Sequence, residues 1–222
     1  MTRALEQYNE EFGTFLTSVN AGFLNPGSPS LFDHALRNMP EGGAILEIGN
    51  CCGLSLNAIG YLARQHGRSE PIFSCDPWPF PVGLIAGTDI DKHEYRSFVI
   101  ESFRRNLSFF SRQSLPHAIE ASADDFFEMW NAKRQVVDLF DRSVVLGGAI
   151  GFAHIDGWHA YEAVKSDFDH VDQHLASGGF ILFDDSLDNG IFPDVTRVTH
   201  EALATGRYEI ADKNPNYLIR KI

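Results

Sequence analysis

Short apolar runs rich in strand-forming residues alternate along this chain with amphipathic segments of helical period, and that alternation restricts the fold more than any other feature. "AILEIG" (44–49) has the length and composition of a buried strand, and "LSLNAIGYLARQHG" then sets Leu56, Ile59, Leu62 and Ala63 at helical spacing before Gly67 stops it. "PIFSCD" (71–76) predicts a second strand and "YRSFVIESFRRNLSFF" (95–110) the next helix. "PHAIEAS" predicts strand three, "ADDFFEMWNAKR" a helix begun by Ser122, "GAIGFAHID" strand four, "YEAVKSDFDHVDQHL" a helix and "GFILFDD" strand five. "DVTRVTHEALAT" and "RYEIADKNPNYLIRKI" close the chain as a helix and a hairpin. Strands separated by helices pair in parallel and are covered on both faces. The expected architecture is therefore α/β: a doubly wound, mostly parallel seven-stranded sheet with a C-terminal antiparallel hairpin. A chain of 222 residues, 44% hydrophobic, is long enough to form one domain (1–222) with its own core.

One stretch breaks the pattern. "PWPFPVGLIAGTDIDKH" (77–93) is rich in Pro, Gly and aromatics, too irregular for an element and too long for an ordinary connection. It reads as a lid or substrate loop that shapes a ligand pocket together with an N-terminal helical segment (1–40). A net charge of −12 with no basic run opposes binding to phosphate backbones, so neither nucleic acid nor an anionic membrane is expected as a partner. "MTRALEQYNEEFGTF" carries Arg3, Glu6, Glu10 and Glu11 where a signal peptide needs an apolar stretch, and a cytoplasmic location is expected. The three cysteines, Cys51, Cys52 and Cys75, make no even framework and read as small, buried, reduced packing residues.

In doubly wound sheets ligands bind beyond the carboxyl ends of the strands, near the point where strand order reverses. The residues there are Glu47 and Gly49, Asp76, Ser122, Asp156, and Asp184 with Asp185. "EIGNCCGLS" (47–55) lacks the middle glycine of a dinucleotide fingerprint. Its wider turn suits a ligand with an amino-acid tail: Gly49 and Gly53 allow close approach, the amides from Asn50 onward and Ser55 can hold a carboxylate, and Glu47 can favour an ammonium. Asp76 could accept hydrogen bonds from two ribose hydroxyls. A plain strand-to-helix turn with an exposed acid is the alternative; the combination favours an adenosyl ligand.

"EIGNCCGLS", the strand-ending Asp76, "HIDGWHAYEAVKSD" and "GGFILFDD" together resemble class I S-adenosylmethionine-dependent methyltransferases. Within that class they are most similar to the metal-dependent O-methyltransferases, both the catechol type and the small bacterial enzymes acting on sugars and other natural products. The resemblance covers roughly residues 40–222 and is most specific over 150–185. It implies a Rossmann-like methyltransferase fold with S-adenosylmethionine as cofactor. Gly49, Gly53 and Ser55 would sit against the methionine moiety with Glu47 close by, Asp76 on the ribose, and the turn from Ser122 to Asp124 beside the adenine.

Neighbouring parallel strands, about 4.8 Å apart, bring the ends carrying Asp156, Asp184 and Asp185 together, where three carboxylates repel unless a cation joins them. A hard divalent ion that keeps exchangeable waters resolves this. The resemblance implies the same: the three aspartates match the family's metal-ligand positions, with magnesium the usual occupant. The third position is often Asn in that family. Asp185 raises the negative charge, favouring manganese or calcium, or else caps the following turn.

His159, three residues after Asp156, matches the histidine of D-G-x-H that the resemblance implies as general base; the alternative is a histidine that only orders the metal shell. Trp158 either walls an apolar acceptor pocket or packs beneath the lid. Phe12, Phe15, Phe23, Trp78 and Phe80 could line that pocket, or belong to a core or a homodimer interface. His93, His117, His154, His170 and His174 are scattered, and the pair His170 and His174 reads as a solvated helix face rather than a zinc site. Lys165 does not match the spacing of the family's lysine.

The expected function is metal-dependent O-methylation of a small hydroxylated molecule, with Asp156 and His159 at the reacting oxygen. Two alternatives stay open: a metal-independent N- or O-methyltransferase of the same fold, and a relative that is not a methyltransferase, such as a natural-product hydroxylase-like or cofactor-binding protein.

Overall fold

The computed structural model describes residues 11–79 and 82–222. Near the N-terminus lie two helices, α1 (Gly13–Val19) and α2 (Ser28–Asn38). The alternating part follows: β1 (Ala44–Ile48), α3 (Leu54–Gln65), β2 (Ile72–Cys75), α4 (Lys92–Phe110), β3 (His117–Ile119), α5 (Ala123–Asn131) and a hairpin of β4 (Gln135–Val137) and β5 (Ser143–Val145). Then come β6 (Ile150–Ile155), α6 (Tyr161–His174), β7 (Leu175–Phe183), α7 (Pro193–Ala204), β8 (Tyr208–Lys213) and β9 (Tyr217–Lys221). Among the described residues, seven strands form one sheet in the order β3-β2-β1-β6-β7-β9-β8, with parallel pairing up to β7 and antiparallel pairing of β9 with both β7 and β8. The expected fold class is what the chain adopts.

Alternation along the buried strands divides the core into two layers. Ile45, Ile72, Phe152, Phe180 and Leu182 face α2, α3 and α4, where Phe32, Leu56, Ile59, Phe103 and Leu107 cover them. Leu46, Ile48, Phe73, Ala153, Ile155, Ile181 and Phe183 face α5, α6 and α7 through Phe126, Phe127, Trp130, Phe168 and Val198. From Ile45 on β1, Phe152 on β6 and Phe180 on β7 onward, each strand residue belongs to one face by its parity, which bears below on which acids can meet.

The boundaries differ from the sequence reading where capping or pairing adds information. The helix expected to start at Tyr95 starts at Lys92, because the Asp91 side chain accepts from the His93 amide at 2.7 Å. Ser122 caps α5 as expected, accepting from the Asp125 amide at 3.1 Å. The strand expected over 116–122 is regular only over His117–Ile119, and β7 begins at Leu175, earlier than expected. The β4–β5 hairpin was not foreseen. The 77–93 segment holds a single bridge, Leu84 to Asp91, among its described residues; Phe80 lies outside them. Residues 1–10 of the N-terminal segment also lie outside them, and α1 and α2 occupy much of the rest, with a non-helical connection between them. Among the described residues no helix is long and apolar enough to cross a membrane.

Candidate functional site

The parallel ladders continue one residue past the strands and level their ends. Gly49 N donates to Cys75 O at 3.0 Å, Asp156 N to Ile48 O at 2.8 Å and Asp184 N to Ile155 O at 3.0 Å. Gly49, Asp76, Asp156 and Asp184 therefore stand in one row beside the β1/β6 junction, where the strand order reverses.

The turn after β1 is shaped by packing as much as by any ligand. Gly49 has φ +87°, and a methyl group there would sit 2.0 Å from the Asp156 carbonyl oxygen. Gly53, at φ +82°, lies against α4, and its Cβ would meet Leu107 Cδ1 at 2.6 Å. Asp76 closes the turn from the other side: Oδ2 accepts from the Asn50 and Cys51 amides at 2.8 and 3.3 Å, and Oδ1 from the Trp78 amide at 2.6 Å. Burial holds the Asp76 carboxyl above the usual range despite those amide donors. Asn50 is buried with both side-chain polar atoms unpartnered, an arrangement that costs stability unless a ligand satisfies it. Ser55 is buried in the first turn of α3.

A polar network ties this turn to α1. Asn20, 3% exposed, donates from Nδ2 to Cys52 O at 3.0 Å and accepts from Asn57 Nδ2 at 2.9 Å; Asn57 Oδ1 accepts in turn from Ser111 at 2.6 Å. Sequence reading missed Asn20, because one Asn in an N-terminal segment carries no motif.

The row of acids resolves into two groups. Glu47 is fully buried on β1, in register with His154 on β6, and Oε1 lies 2.9 Å from His154 Nδ1. His154 Nε2 has no hydrogen-bond partner and stands 3.9 Å from Asp184 Oδ1. His154, Asp156 and Asp184 each present a ligand-capable atom, all within 4.8 Å of one another. Asp184 is held by Asn216 Nδ2 at 2.7 Å and Ser28 Oγ at 3.4 Å. Burial, reinforced by the adjacent Asp184, pushes the Asp156 carboxyl well above its ordinary range. Burial alone would lower the His154 pKa, but the Asp184 and Glu47 carboxylates outweigh it and lift the ring to about 10. Once the His154 proton is displaced, its Nε2 and the two acids could together hold a cation. His154 had been passed over as one of several scattered histidines; its place two residues before Asp156 on a buried strand was the available signal.

Asp185, at φ +55°, turns away from that group and places Oδ2 3.3 Å from His159 Nε2, close enough for an ion pair but without hydrogen-bond alignment. Burial and Asp184 raise the Asp185 pKa. The His159 ring rests on Phe192 at 3.9 Å between centroids. Trp158, 74% exposed, lines with His159, Ile191, Phe192 and Pro193 an open cleft of about 450 Å³. A larger hollow of about 600 Å³ follows α7 past Arg197 and His200 and is lined by none of the strand-end acids.

Other expected residues are placed elsewhere. Asp124 accepts from Ser166 Oγ at 2.9 Å and lies 2.8 Å from His170 Nε2, joining α5 to α6. His170 and His174 stack on Phe127 at 5.0 and 5.7 Å and are partly buried, so they are not the solvated face expected; an aromatic on the facing helix claims them. Cys52 and Cys75 are buried, but Cys51 is exposed at the apex of the turn, where φ of +43° lifts it out. The neighbouring Cys52 thiol lowers the Cys51 pKa to about 7. Trp78 is a core residue, buried against Phe103, its Nε1 donating to Cys51 O at 3.0 Å. Phe12 stacks on Tyr61 at 4.0 Å, while Phe15 and Phe23 are exposed. Lys165 pairs with Asp169 on its own helix.

A family described as "Methyltransferase domain" matches residues 46–186, a span that includes the β1 turn, Asp76 and the whole acid–histidine group. No curated protein sequence matches the chain. Several solved structures share the fold. The O-methyltransferase NovP is 16% identical with a TM-score of 0.57, over 88% of this chain and 79% of that one. CalS11, a TDP-rhamnose 3'-O-methyltransferase of calicheamicin biosynthesis, is 16% identical with a TM-score of 0.58, over 97% and 86%. The O-methyltransferase TomG from Streptomyces achromogenes, solved with S-adenosylmethionine, is 15% identical with a TM-score of 0.55, over 100% and 90%.

Proposed function

We propose, from the premise that this chain belongs to the methyltransferase-domain family, that it transfers the methyl group of S-adenosylmethionine to a hydroxyl of a small molecule held beside Trp158 and His159. The observation that carries this reading is the pairing of two groups at one sheet edge. One is a His154–Asp156–Asp184 cluster suited to a divalent cation, and the other is His159, whose ring faces the Asp185 carboxylate at the mouth of an open cleft.

Transfer of a methyl group from sulfonium to oxygen is a displacement: the acceptor oxygen forms the new bond, the sulfur keeps the old electron pair, and the hydroxyl proton must leave. The chain has to align the two partners and take that proton. On the cofactor side, Gly49, Asn50, Gly53 and Ser55 would receive the amino-acid end with Glu47 near its ammonium. Asp76 would exchange part of its amide bonding for ribose hydroxyls, with Ser122 and Asp124 beyond. On the acceptor side, Asp156 and Asp184 would hold a divalent cation, whose charge, when bound, lowers the pKa of the acceptor hydroxyl. His159 would accept the proton, and the Asp185 carboxylate 3.3 Å from its Nε2 would stabilise the imidazolium that results. Trp158 and Phe192 would give the cleft its apolar wall.

Titration calorimetry with S-adenosylmethionine is expected to show one site per chain. Transfer of labelled methyl to a panel of catechols and sugars is expected to stop in chelator and to return with added divalent ion. Replacing His159 by Gln is expected to lower kcat by about 10²- to 10⁴-fold with cofactor affinity unchanged. No cofactor binding at millimolar concentration would refute the reading. Turnover indifferent to chelator would move it to a metal-independent transferase, an alternative favoured by one observation: the His154 imidazole already lies between Glu47 and Asp184 and can offset their charge.

A further inference from the structure

We infer that the cation site is a mixed nitrogen–oxygen site, with His154 Nε2 as a direct ligand beside Asp156 and Asp184, and that it therefore takes manganese(II) or a neighbouring borderline ion in preference to magnesium. The inference rests on the metal-dependent reading above and goes past it in naming both the donor set and the ion.

Strand parity comes first. Phe180 and Leu182 of β7 face α2 and α3, as do Ile45 of β1 and Phe152 of β6, so Glu47, His154 and Asp156 project to that same side. Asp184 joins them there, since its carboxylate meets Ser28 of α2. Asp185 lies past the end of β7 with φ +55°, and its carboxylate turns toward His159 instead. Three side chains from two strands thus converge, and the neighbouring acid in the sequence is not one of them.

The ring is also fixed for ligation. Nδ1 is committed to Glu47 Oε1 at 2.9 Å, which leaves Nε2 as the free nitrogen, and the edge of Phe32 holds the imidazole plane at 5.1 Å. A carboxylate behind a histidine that points its other nitrogen at a shared centre is the outer-shell arrangement of metal-ligating histidines. Nε2 is buried in a side chain 1% exposed and has no hydrogen-bond partner, with Asp184 Oδ1 3.9 Å away, a state that costs stability unless a ligand satisfies it. Ligands about 2.0–2.2 Å from one ion lie at most about 4.4 Å apart. The three candidate atoms lie within 4.8 Å, so a contraction of a few tenths of an ångström closes the shell. Imidazole nitrogen suits iron, nickel and zinc, carboxylate oxygen suits magnesium and manganese, and affinity at a mixed site rises along the first-row series. Magnesium, which prefers oxygen and gives up water reluctantly, gains least from Nε2.

The test uses manganese(II) on the full-length, metal-stripped protein. Expected are one tightly bound ion per chain, displaced by magnesium only at 100-fold excess or more, and a pulsed electron-spin-echo modulation from a directly coordinated imidazole nitrogen. In unmutated protein grown on ¹⁵N-histidine, the ¹⁴N modulation is expected to give way to that of ¹⁵N. His159→Gln should keep the nitrogen signal and His154→Gln should lose it. Bound manganese without nitrogen modulation, or displacement by equimolar magnesium, would overturn the inference and leave a metal-dependent methyltransferase with an all-oxygen site. Absence of manganese binding at millimolar concentration would overturn the metal reading as well, with cofactor calorimetry deciding separately whether the methyltransferase reading survives.

Discussion

A methyl group on Gly49 would lie 2.0 Å from the carbonyl oxygen of Asp156, with φ at +87°, so Gly49→Ala must push β1 away from the strand end that bears the acid group. The left-handed backbone and the clash together should cost at least about 3 kcal/mol. The expected outcome is a large drop in thermal midpoint together with loss of cofactor binding; an alanine variant that binds cofactor normally would contradict the packing argument. Asp167 gives a pH prediction of the opposite sign to the usual carboxylate. It is buried on α6, and burial, with a smaller contribution from the Asp124 charge, raises its pKa to about 7. Below pH 4 both folded and unfolded chains carry the proton and nothing is lost. Between about pH 4 and 7 the unfolded chain ionises while the folded one does not, so stability falls as pH rises, by about 4 kcal/mol at most once pH passes 7. Asp167→Asn is therefore expected to raise the thermal midpoint at pH 8 and to leave it unchanged at pH 4. At this scale the sequence was legible where one residue type at one place suffices: Gly49, Asp76, Asp156 and Asp184 all fall in the strand-end row. Asp185 was expected beside Asp184, and its place 3.3 Å from His159 comes from a left-handed turn at φ +55° that no sequence period reveals. His154 could be recognised only through its register with Glu47, which no single strand reveals.

At the scale of elements, α1 and the cofactor turn behave as one unit. Asn20 at the end of α1 holds Cys52 O, Asn106 of α4 holds the same oxygen at 3.0 Å, and Gly22 passes so close to α3 that a Cβ would meet Leu54 Cβ at 2.8 Å. Asn20→Ala leaves the Asn57 amide buried without its acceptor, which should cost about 1–3 kcal/mol. Because the loss falls on the turn, S-adenosylmethionine affinity is expected to weaken by about tenfold or more in calorimetry, with faster amide exchange at residues 50–53; unchanged affinity would show that α1 only covers the core. Long periodic segments such as α3 and α6, and runs such as β6 and β7, were legible because burial on one or both sides imposes their pattern. The β4–β5 hairpin was not: its burial alternates, but the exposed positions include Val137 and Val145, so the residue types show no apolar–polar alternation. The three residues added to the start of α4 depended on a side-chain cap within an otherwise irregular stretch.

Across the whole molecule, the order β3-β2-β1-β6-β7-β9-β8 places the reversal at β1/β6, and the strand-end acids that alternation marks in the sequence fall beside it. What alternation could not supply was closure of the site by the two ends of the chain. Asp184 is oriented by Ser28, which precedes β1, and by Asn216, in the turn between β8 and β9, and neither belongs to a pattern that a strand or helix period would expose. Asn216 is fully buried, and its Nδ2 bond of 2.7 Å is the shorter of the two that fix the Asp184 carboxylate. The β7–β9 and β8–β9 ladders are made by backbone groups, so Asn216→Ala removes the orienting donor and leaves the sheet paired. Removing such an outer-shell partner typically costs 10- to 100-fold in metal affinity. Manganese titration of Asn216→Ala is expected to show a loss in that range. The thermal midpoint should fall by no more than a lost buried hydrogen bond accounts for, about 1–3 kcal/mol. Equal affinity in the variant and the unmutated protein would mean that the hairpin only extends the sheet. A weakened site in a folded chain would mean that the antiparallel addition at the sheet's end sets the geometry of a ligand more than thirty residues upstream.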